Sequence, residues 1–178
     1  CKCGQSKQWS ERLYQFDCRE REMNPTVVCG DLLEQDVEVI VNPWNRNIIP
    51  WWLLLPQGVS GAIKRAGGHE PFRELAKFGP LKLGAAVETS AGRLSYESII
   101  HVSGINFFWF ATKYSIQESV RNAMKIVNEK SYASVAFPII GSGSGNRSVD
   151  KCLSYMQDAF EQIDSRAEVR IVRFHQSK

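Results

Sequence analysis

The sequence predicts an α/β fold, a three-layer α/β/α sandwich built around a central mixed, mostly parallel sheet. Short apolar runs alternate along the chain with longer stretches of helical periodicity, as they do in such folds. Several runs, such as VEVIV at 37–41, are too apolar for a half-exposed strand and suit a strand buried on both faces. Glycine-rich loops follow these runs, at the sheet edge where α/β proteins bind ligands.

Composition limits the classes of function. The 178 residues suit one domain, and a content of 43% hydrophobic and 23% charged residues excludes a disordered chain. The net charge of +3 slightly favours an anionic ligand, but it is too small and too scattered to predict a nucleic-acid groove. No run reaches the roughly 18–20 apolar residues of a membrane span, so no membrane partner is expected.

Cysteine and histidine usage predicts a reduced, cytoplasmic protein without a metal or cofactor. The cysteines are odd in number and irregularly spaced, which argues against a disulfide framework, and no secretory signal pattern opens the chain. The histidines lie far apart in sequence and form no ligand cluster. These residues are Cys1, Cys3, Cys18, Cys29, Cys152, His69, His101 and His175.

The first part of the chain is predicted to contain an N-terminal extension, then two strands and a short helix. Residues 1–26 form that extension, in which residues 13–18 are a possible edge strand, and residues 27–178 form the domain. Apolar runs at 26–29 and 37–41 predict buried strands. Ser60 is predicted as the N-cap of a short helix that runs through Ala66 and ends at two glycines.

The rest of the chain continues the alternation. Pro71 suits the first residue of a helix to about residue 78, and residues 84–90 and 98–102 read as strands. Helical spacing predicts helices at 115–128 and 149–163. Two further strands are predicted, a buried one at 134–140 and an alternating one at 169–174.

Three loops after predicted strands carry residues suited to a nucleotide-like ligand. The first holds Asp31, which can accept from an exocyclic amine, and the second holds Asn42 and Asn45, which can bond sugar hydroxyls. The second and third place glycines before a predicted helix, where consecutive N–H groups make an anion nest. Two such nests fit the two phosphates of a diphosphate.

Each feature alone has a plainer interpretation. Gly-Ser runs are mostly turns, Asp31 alone suits a turn or cap, and both asparagines suit Asx turns. His101 lies in an apolar strand and is better explained as a hydrogen-bonded core histidine than as a base. No P-loop occurs, and GSGSG is not G-x-G-x-x-G, because Asn146 stands at the last glycine. The order of the three loops is harder to explain by packing.

The segments VVCGDLL, VEVIVNPWN, GVSGAIKRAGG and SYASVAFPIIGSGSG together resemble the macrodomains, which bind ADP-ribose. The resemblance covers roughly residues 27–174. The motifs N-P-W-N-R and W-L-L-L-P-x-G-V-S-G are similar to those of a bacterial subgroup of the family. It implies the macrodomain fold, ADP-ribose as ligand and ADP-ribosylated proteins as partners.

The resemblance also implies residue roles. Asp31 is expected to bond the adenine amino group with the Leu32 backbone beside it, and Phe174 or His175 to lie against adenine. Asn45 is expected at the distal ribose, next to the carbon where hydrolysis occurs. Two loops are expected to wrap the pyrophosphate from opposite sides, and they consist of Gly58, Val59, Ser60 and Gly61 on one side and Gly141, Ser142, Gly143, Ser144 and Gly145 on the other.

One departure from the family bears on catalysis. Mainstream hydrolytic macrodomains carry an aspartate where this chain has Ser60, and no Asp or Glu occurs between Val39 and His69. The prediction is a hydrolase acting on ADP-ribosyl esters of acidic side chains, with substrate assistance and with Asn45 and Ser60 as catalytic residues. The alternative is a non-catalytic ADP-ribose-binding reader, and RNA binding is the least favoured reading because no basic cluster with interleaved aromatics occurs.

Overall fold

The computed structural model of the chain describes residues 23–45, 58–105, 110–143, 145 and 147–174, with the backbone alone at Asn45. Six strands, four α-helices and one 3-10 helix occur in these residues. In chain order they are β1 (Thr26–Cys29), the 3-10 helix (Leu32–Glu34), β2 (Val39–Asn45), α1 (Gly58–Gly67), α2 (Glu70–Ala76), β3 (Ala86–Ser90), β4 (Ser98–Ile105), α3 (Lys113–Lys130), β5 (Ser134–Pro138), α4 (Val149–Phe160) and β6 (Glu168–Arg173).

The described strands form one sheet in the order β1-β6-β5-β2-β4-β3. Every neighbouring pair is parallel except β3 and β4, which are antiparallel. The central strand β2 has parallel neighbours on both sides, and this explains why its first three residues, 39–41, are all apolar rather than alternating with polar residues. The predicted mixed, mostly parallel sheet is confirmed.

Two apolar cores lie on opposite faces of the sheet, and successive residues of β2 alternate between them. Val39 and Val41 belong to the core under α3 and α4, whereas Ile40 belongs to the core under α1 and α2. The large, fully buried side chains of the first core include Phe137, Phe160 and Met156, and those of the second include Phe72 and Ile63. Helices on both faces give the predicted three layers.

Element boundaries differ from the sequence prediction where a side chain has a tertiary partner. Ser60 is not an N-cap, because α1 begins at Gly58 and the Ser60 hydroxyl donates to the Asn42 side chain instead of accepting from the helix. Helix α3 begins at Lys113 because Thr112 and Ser115 form a reciprocal capping box. Asn42 lies within β2 and not in the loop after it.

Some predictions fall on residues outside the described ranges. The possible edge strand at 13–18 and most of the tryptophan-rich segment before α1 are among them, as are Ser144 and His175. Within the described part of the chain, no helix combines the length and apolarity that a membrane crossing requires.

Candidate functional site

The strands that precede the loops singled out by the sequence end side by side at the carboxyl edge of the sheet. Asp31 follows β1, Phe174 follows β6, residues 139–145 follow β5, and Asn45 ends β2. Since these four strands are consecutive and mutually parallel, their ends form a row that spans three strand spacings, about 14 Å. The carboxyl edge of such a sheet is where α/β folds bind ligands.

One end of the row is formed by β1 and β6. The Gly30 amide donates to the Arg173 carbonyl at 3.1 Å, which continues the parallel ladder beyond the last pair, Cys29 and Arg173. Phe174 therefore follows on opposite Gly30, and Asp31 is the next residue after Gly30. Phe174 is 63% exposed although it is a large aromatic side chain. This end of the row therefore carries an exposed aromatic ring, which is a flat apolar surface, and a carboxylate, which is a hydrogen-bond acceptor.

Asp31 has a structural task in addition to its place in the row. Its Oδ1 accepts from the Leu33 amide at 2.9 Å and caps the 3-10 helix, and its carbonyl accepts from the Gln35 side chain at 2.8 Å. The plainer interpretation of Asp31 as a cap is therefore confirmed. A carboxylate has two oxygens and about four acceptor positions, so capping uses only part of its capacity.

Tyr96 is a neighbour of Asp31 that sequence reasoning missed. Its hydroxyl donates to the Leu32 carbonyl at 3.2 Å, and its pKa is raised by burial and then by the negative charge of Asp31. The residue lies in the turn before β4, at a distance of more than sixty residues along the chain. No local pattern marks it, because only the tertiary fold brings that turn against the 3-10 helix.

Close packing explains two glycines of the loop after β5. Gly141 has φ of +89°, and a Cβ there would lie 2.6 Å from the Ala111 Cβ. A Cβ at Gly145 would lie 2.5 Å from the Gly141 carbonyl oxygen. Gly143, in contrast, is exposed, and a Cβ there would meet nothing within 4 Å. The loop is thus packed at two glycines and open at the third.

Hydrogen bonds hold this loop in place. Ser142 Oγ donates to the Ile139 carbonyl at 2.8 Å, and the Ala111 amide donates to the Gly145 carbonyl at 3.2 Å. Arg147 donates from Nε to the Ala111 carbonyl at 2.8 Å and lies 5.7 Å from the Tyr155 ring centroid. Arg147 therefore supports the loop indirectly, since it holds Ala111, which in turn bonds Gly145.

The N-terminus of α1 has the electrostatics of an anion site. The helix begins at Gly58 and carries no acidic residue in its first turn. The first four N–H groups of an α-helix have no partner within the helix, and the helix dipole places partial positive charge there. Gly58 is exposed and Val59 partly exposed, while Ser60 and Gly61 are buried. Such an end attracts phosphate.

A buried chain of polar side chains lies beneath this helix start. Ser60 Oγ donates to Asn42 Oδ1 at 2.6 Å, and Asn42 Nδ2 is 2.9 Å from His101 Nδ1. His101 Nε2 is 2.9 Å from Thr89 Oγ1, which donates to the Ser90 carbonyl at 3.0 Å. The chain connects α1 to β2, β4 and β3.

Burial decides the roles of Asn42 and His101. Both residues are 0% exposed, and both ends of each polar side chain have a protein partner. Desolvation lowers the pKa of His101 from 6.5 to about 3, so the ring is neutral at neutral pH. The interpretation of His101 as a hydrogen-bonded core histidine is confirmed. Asn42, expected to bond sugar hydroxyls, lies instead beneath the row of loops.

Asn45 ends β2 immediately after an irregularity in the ladder. The register between β2 and β4 shifts between Trp44 and Asn45, so that Trp44 pairs with Ser103 and Asn45 with Ile105. Trp44 is buried and packs against Phe72 with ring centroids 5.5 Å apart. Bulges next to sites re-aim the backbone that follows. The extra residue here is Gly104 of β4, which has no partner in β2.

Comparison with known proteins agrees with this arrangement. The family profile described as Macro domain matches residues 41–156. The chain belongs to the Macro domain family. A macro domain-containing protein of Listeria monocytogenes is 36% identical over 129 residues, covering 68% of this chain and 69% of that protein. Human protein mono-ADP-ribosyltransferase PARP14 is 27% identical over 83% of this chain, which spans only 7% of PARP14.

Solved macrodomains share the fold. A mutant of the Oceanobacillus iheyensis macrodomain, solved with ADPR, superimposes with a TM-score of 0.70 at 24% identity, covering 82% of each chain. At that identity the likeness concerns the fold alone. The mixed, mostly parallel sheet is thus part of a fold that this chain shares with solved macrodomains. Among the described residues, no group of three or more His, Cys, Asp and Glu side chains could hold a metal ion.

Proposed function

We propose that this macrodomain binds ADP-ribose and hydrolyses ADP-ribosyl esters on acidic side chains of proteins. The observation that carries the binding proposal is the order of the strand ends. Phe174 and Asp31 lie at one end, and two glycine-containing loops lie next to each other towards the other. A purine, a diphosphate and a second ribose follow one another in ADP-ribose in the same order.

The adenine end of the proposed site combines stacking with hydrogen bonding. The exposed Phe174 ring offers a face for the purine, and Asp31 offers acceptor positions for its exocyclic amine. The Leu32 backbone, which Tyr96 holds through its carbonyl, lies next to Asp31. We propose that Asp31 selects adenine and that Tyr96 fixes the loop from which it does so.

The diphosphate is proposed to lie between the start of α1 and the loop after β5. Gly58, Val59, Ser60 and Gly61 supply helix-start amides on one side. The second side consists of Gly141, Ser142, Gly143, Ser144 and Gly145, of which Ser144 is outside the described residues. We propose that both sets of amides face one region, and the adjacency of the parallel strands β2 and β5 supports this.

The proposed reaction is attack of water on the anomeric carbon of the distal ribose. The water oxygen bonds to that carbon, the carbon–oxygen bond of the ester breaks, and the protein side chain leaves as a carboxylate. A ligand phosphate takes the proton from water, since the chain has no Asp or Glu between Val39 and His69. We propose that Asn45 positions the ribose and water, and that Ser60 contributes an oxygen at the same place. Asn42 is a positioning residue in this scheme.

The proposed partners are ADP-ribosylated proteins, and no metal or cofactor is assigned. An acyl ester at the anomeric carbon has a good leaving group, which makes acidic side chains the favoured attachment site. Positioning alone can supply several kcal/mol of the barrier, so the absence of a carboxylate base lowers the rate without forbidding reaction. A reduced, cytoplasmic setting stays a prediction.

Two assays test the proposal in sequence. Calorimetric titration should show tighter binding of ADP-ribose than of AMP, ATP or NAD. Only ADP-ribose has groups for the proposed adenine, diphosphate and distal ribose sites and none beyond them. Equal binding of AMP would contradict the proposed diphosphate and distal ribose sites. Release of ADP-ribose from a protein modified on acidic residues then tests hydrolysis.

The missing carboxylate specifically favours a second candidate, a non-catalytic reader of ADP-ribose. Asn45→Ala separates the two functions. A variant that binds ADP-ribose but has lost the rate supports hydrolysis. Binding without turnover above background in the unaltered protein identifies a reader.

A further inference from the structure

The positions of the protons decide which group donates and which accepts in each hydrogen bond of the buried polar chain. Asn42 has an acceptor, Oδ1, and a donor, Nδ2, at the two ends of its amide, and a neutral imidazole has one donor and one acceptor nitrogen. The contacts run from Ser60 through Asn42 and His101 to Thr89. Choosing the protonated nitrogen of His101 therefore also chooses the orientation of the Asn42 amide.

Two proton orders satisfy every member of the chain. In the first, Thr89 donates to the Ser90 carbonyl at 3.0 Å and accepts from His101 Nε2–H. His101 Nδ1 then accepts from Asn42 Nδ2, and Asn42 Oδ1 accepts the Ser60 proton at 2.6 Å. In the reverse order, all three shared bonds change direction and Ser60 must donate elsewhere.

Distances favour the first order. In the reverse order the Ser60 proton has the Pro43 carbonyl as its acceptor, at 3.3 Å, which is beyond the usual O–H···O distance of 2.5–3.0 Å. The first order uses the short bond of 2.6 Å to Asn42 instead. Its far end is also anchored, because Glu74 accepts from the Ser90 amide at 2.7 Å and from the Ser90 hydroxyl at 2.9 Å.

We propose that His101 is a positioning residue whose Nε2-protonated tautomer commits the Ser60 proton to Asn42, so that Ser60 Oγ acts towards the ligand only as a hydrogen-bond acceptor. The proposal rests on the proposed function in placing Ser60 at the ribose and water. A hydroxyl has one proton and two lone pairs, and when the proton is committed only the lone pairs remain. Ser60 is 8% exposed, so a small part of its surface is accessible.

This arrangement gives Ser60 the hydrogen-bonding character of the residue it replaces. The aspartate expected at this position in mainstream macrodomains is an ionised carboxylate, which only accepts hydrogen bonds. A serine with a committed proton also only accepts, but it carries no charge beside the proposed diphosphate. The neutral imidazole that this requires is secured by burial, which holds the pKa of His101 at about 3.

The same logic predicts a change at a distance. In Ser60→Asp the carboxylate cannot face Asn42 Oδ1, because both are acceptors, and it instead requires Nδ2 as donor. The Asn42 amide then turns, its Oδ1 faces His101 Nδ1, and that nitrogen must carry the proton. Thr89 donates to Nε2 in this case. A substitution at the start of α1 should therefore move a proton on a buried ring in β4.

The tautomer can be measured directly with protein carrying ¹⁵N-labelled histidine. Long-range ¹H–¹⁵N correlation at neutral pH should show His101 protonated at Nε2 in the unaltered protein and at Nδ1 in Ser60→Asp. His101→Gln identifies the signal by its loss. An Nδ1-protonated ring in the unaltered protein overturns the proposal, and so does an unchanged tautomer in folded Ser60→Asp. Should Ser60→Asp fail to fold, the measurement on the unaltered protein still decides.

Ligand affinity provides the readout for positioning. Gln can accept with Oε1 from Asn42 and donate with Nε2 to Thr89, so His101→Gln should bind ADP-ribose within about threefold of the unaltered protein. His101→Leu leaves Asn42 without its acceptor and should weaken binding by about tenfold. Ser103→Ala is the matched control, since the Ser103 hydroxyl is buried on the same strand and has no hydrogen-bond partner among the described residues.

The outcomes separate this proposal from the proposed function. Unchanged ADP-ribose affinity in folded His101→Leu overturns the positioning role of His101, even with the expected tautomer. If the unaltered protein binds no ADP-ribose, the proposed function fails, and the tautomer measurement still reports the proton order of the free protein.

Discussion

The glycines of the loop after β5 separate folding from ligand binding. Gly141→Ala places a Cβ 2.6 Å from the Ala111 Cβ, whereas carbon atoms in contact are about 3.5–4.0 Å apart, so the loop must move by about 1 Å. Overpacking typically costs about 1–3 kcal/mol, and the left-handed conformation of φ +89° adds about 1–2 kcal/mol for a non-glycine residue. The reduced entropy of the unfolded chain offsets about 0.4–1 kcal/mol.

The expected loss in unfolding free energy for Gly141→Ala is therefore about 2–4 kcal/mol, a large share of the about 5–15 kcal/mol typical of a domain. At about 2–4 °C per kcal/mol for a domain of this size, Tm should fall by about 5–15 °C in a thermal melt. Gly143→Ala is the matched variant two residues away, because its Cβ meets nothing within 4 Å. Its Tm should stay within about 2 °C.

For ligand binding, Gly143→Ala is the informative variant. Gly143→Ala keeps the fold but adds a methyl group to the exposed part of the proposed nest, and we expect ADP-ribose affinity to fall by about tenfold, as for one imperfectly made charged contact. Calorimetry on the folded variant measures this. Equal Tm for the two alanine variants would refute the packing argument, and full affinity in Gly143→Ala would refute the placement of the diphosphate.

Three further predictions concern single groups. Folding lowers the pKa of His101 from 6.5 to about 3, so this residue should not reduce the unfolding free energy above about pH 6.5. On acidification towards pH 3 the unfolding free energy should fall by about 1.4 kcal/mol per pH unit. Urea melts measure this slope, which should be smaller in His101→Gln. Asp31→Asn should keep the 3-10 cap to within about 0.5 kcal/mol but lose the preference for ADP-ribose over its inosine analogue, since Asn also caps while its amide can donate. A retained preference would exclude Asp31 from purine recognition. Tyr96→Phe should cost about 1 kcal/mol of stability through the lost bond to Leu32 and weaken ADP-ribose binding, whereas unaltered affinity would separate Tyr96 from the site.

Local sequence patterns predicted the layers of this protein well. The apolar runs at 134–140 and 37–41 located β5 and β2, because strands of a parallel sheet are covered on both faces. Their ends differ from the prediction, since β5 is Ser134–Pro138 and β2 is Val39–Asn45. The apolar stripe of α4 likewise follows from its helical period. Boundaries were predicted less well, since Ser60 resembles a cap in sequence but donates to Asn42 across the fold.

The candidate site was predictable to the extent that it lies in loops directly after strands. Asp31 and the glycines around Gly143 follow strands in sequence, and parallel strands bring all such loops to one edge. Tyr96 was not predictable, because the turn that carries it meets the 3-10 helix only in the folded chain. The roles of Asn45 and Ser60 in catalysis stay predictions.

The sequence by itself determined the fold class, the family and the strand-end positions of the proposed ligand contacts, since hydrophobic period and loop order are properties of the chain. Tertiary structure decided which polar residues are accessible. Asn42 and Asn45 are three positions apart and equivalent by composition, yet Asn42 is 0% exposed and bonded to Ser60 and His101. The partners of a buried polar group come from strands and helices distant in sequence, and no local pattern contains them.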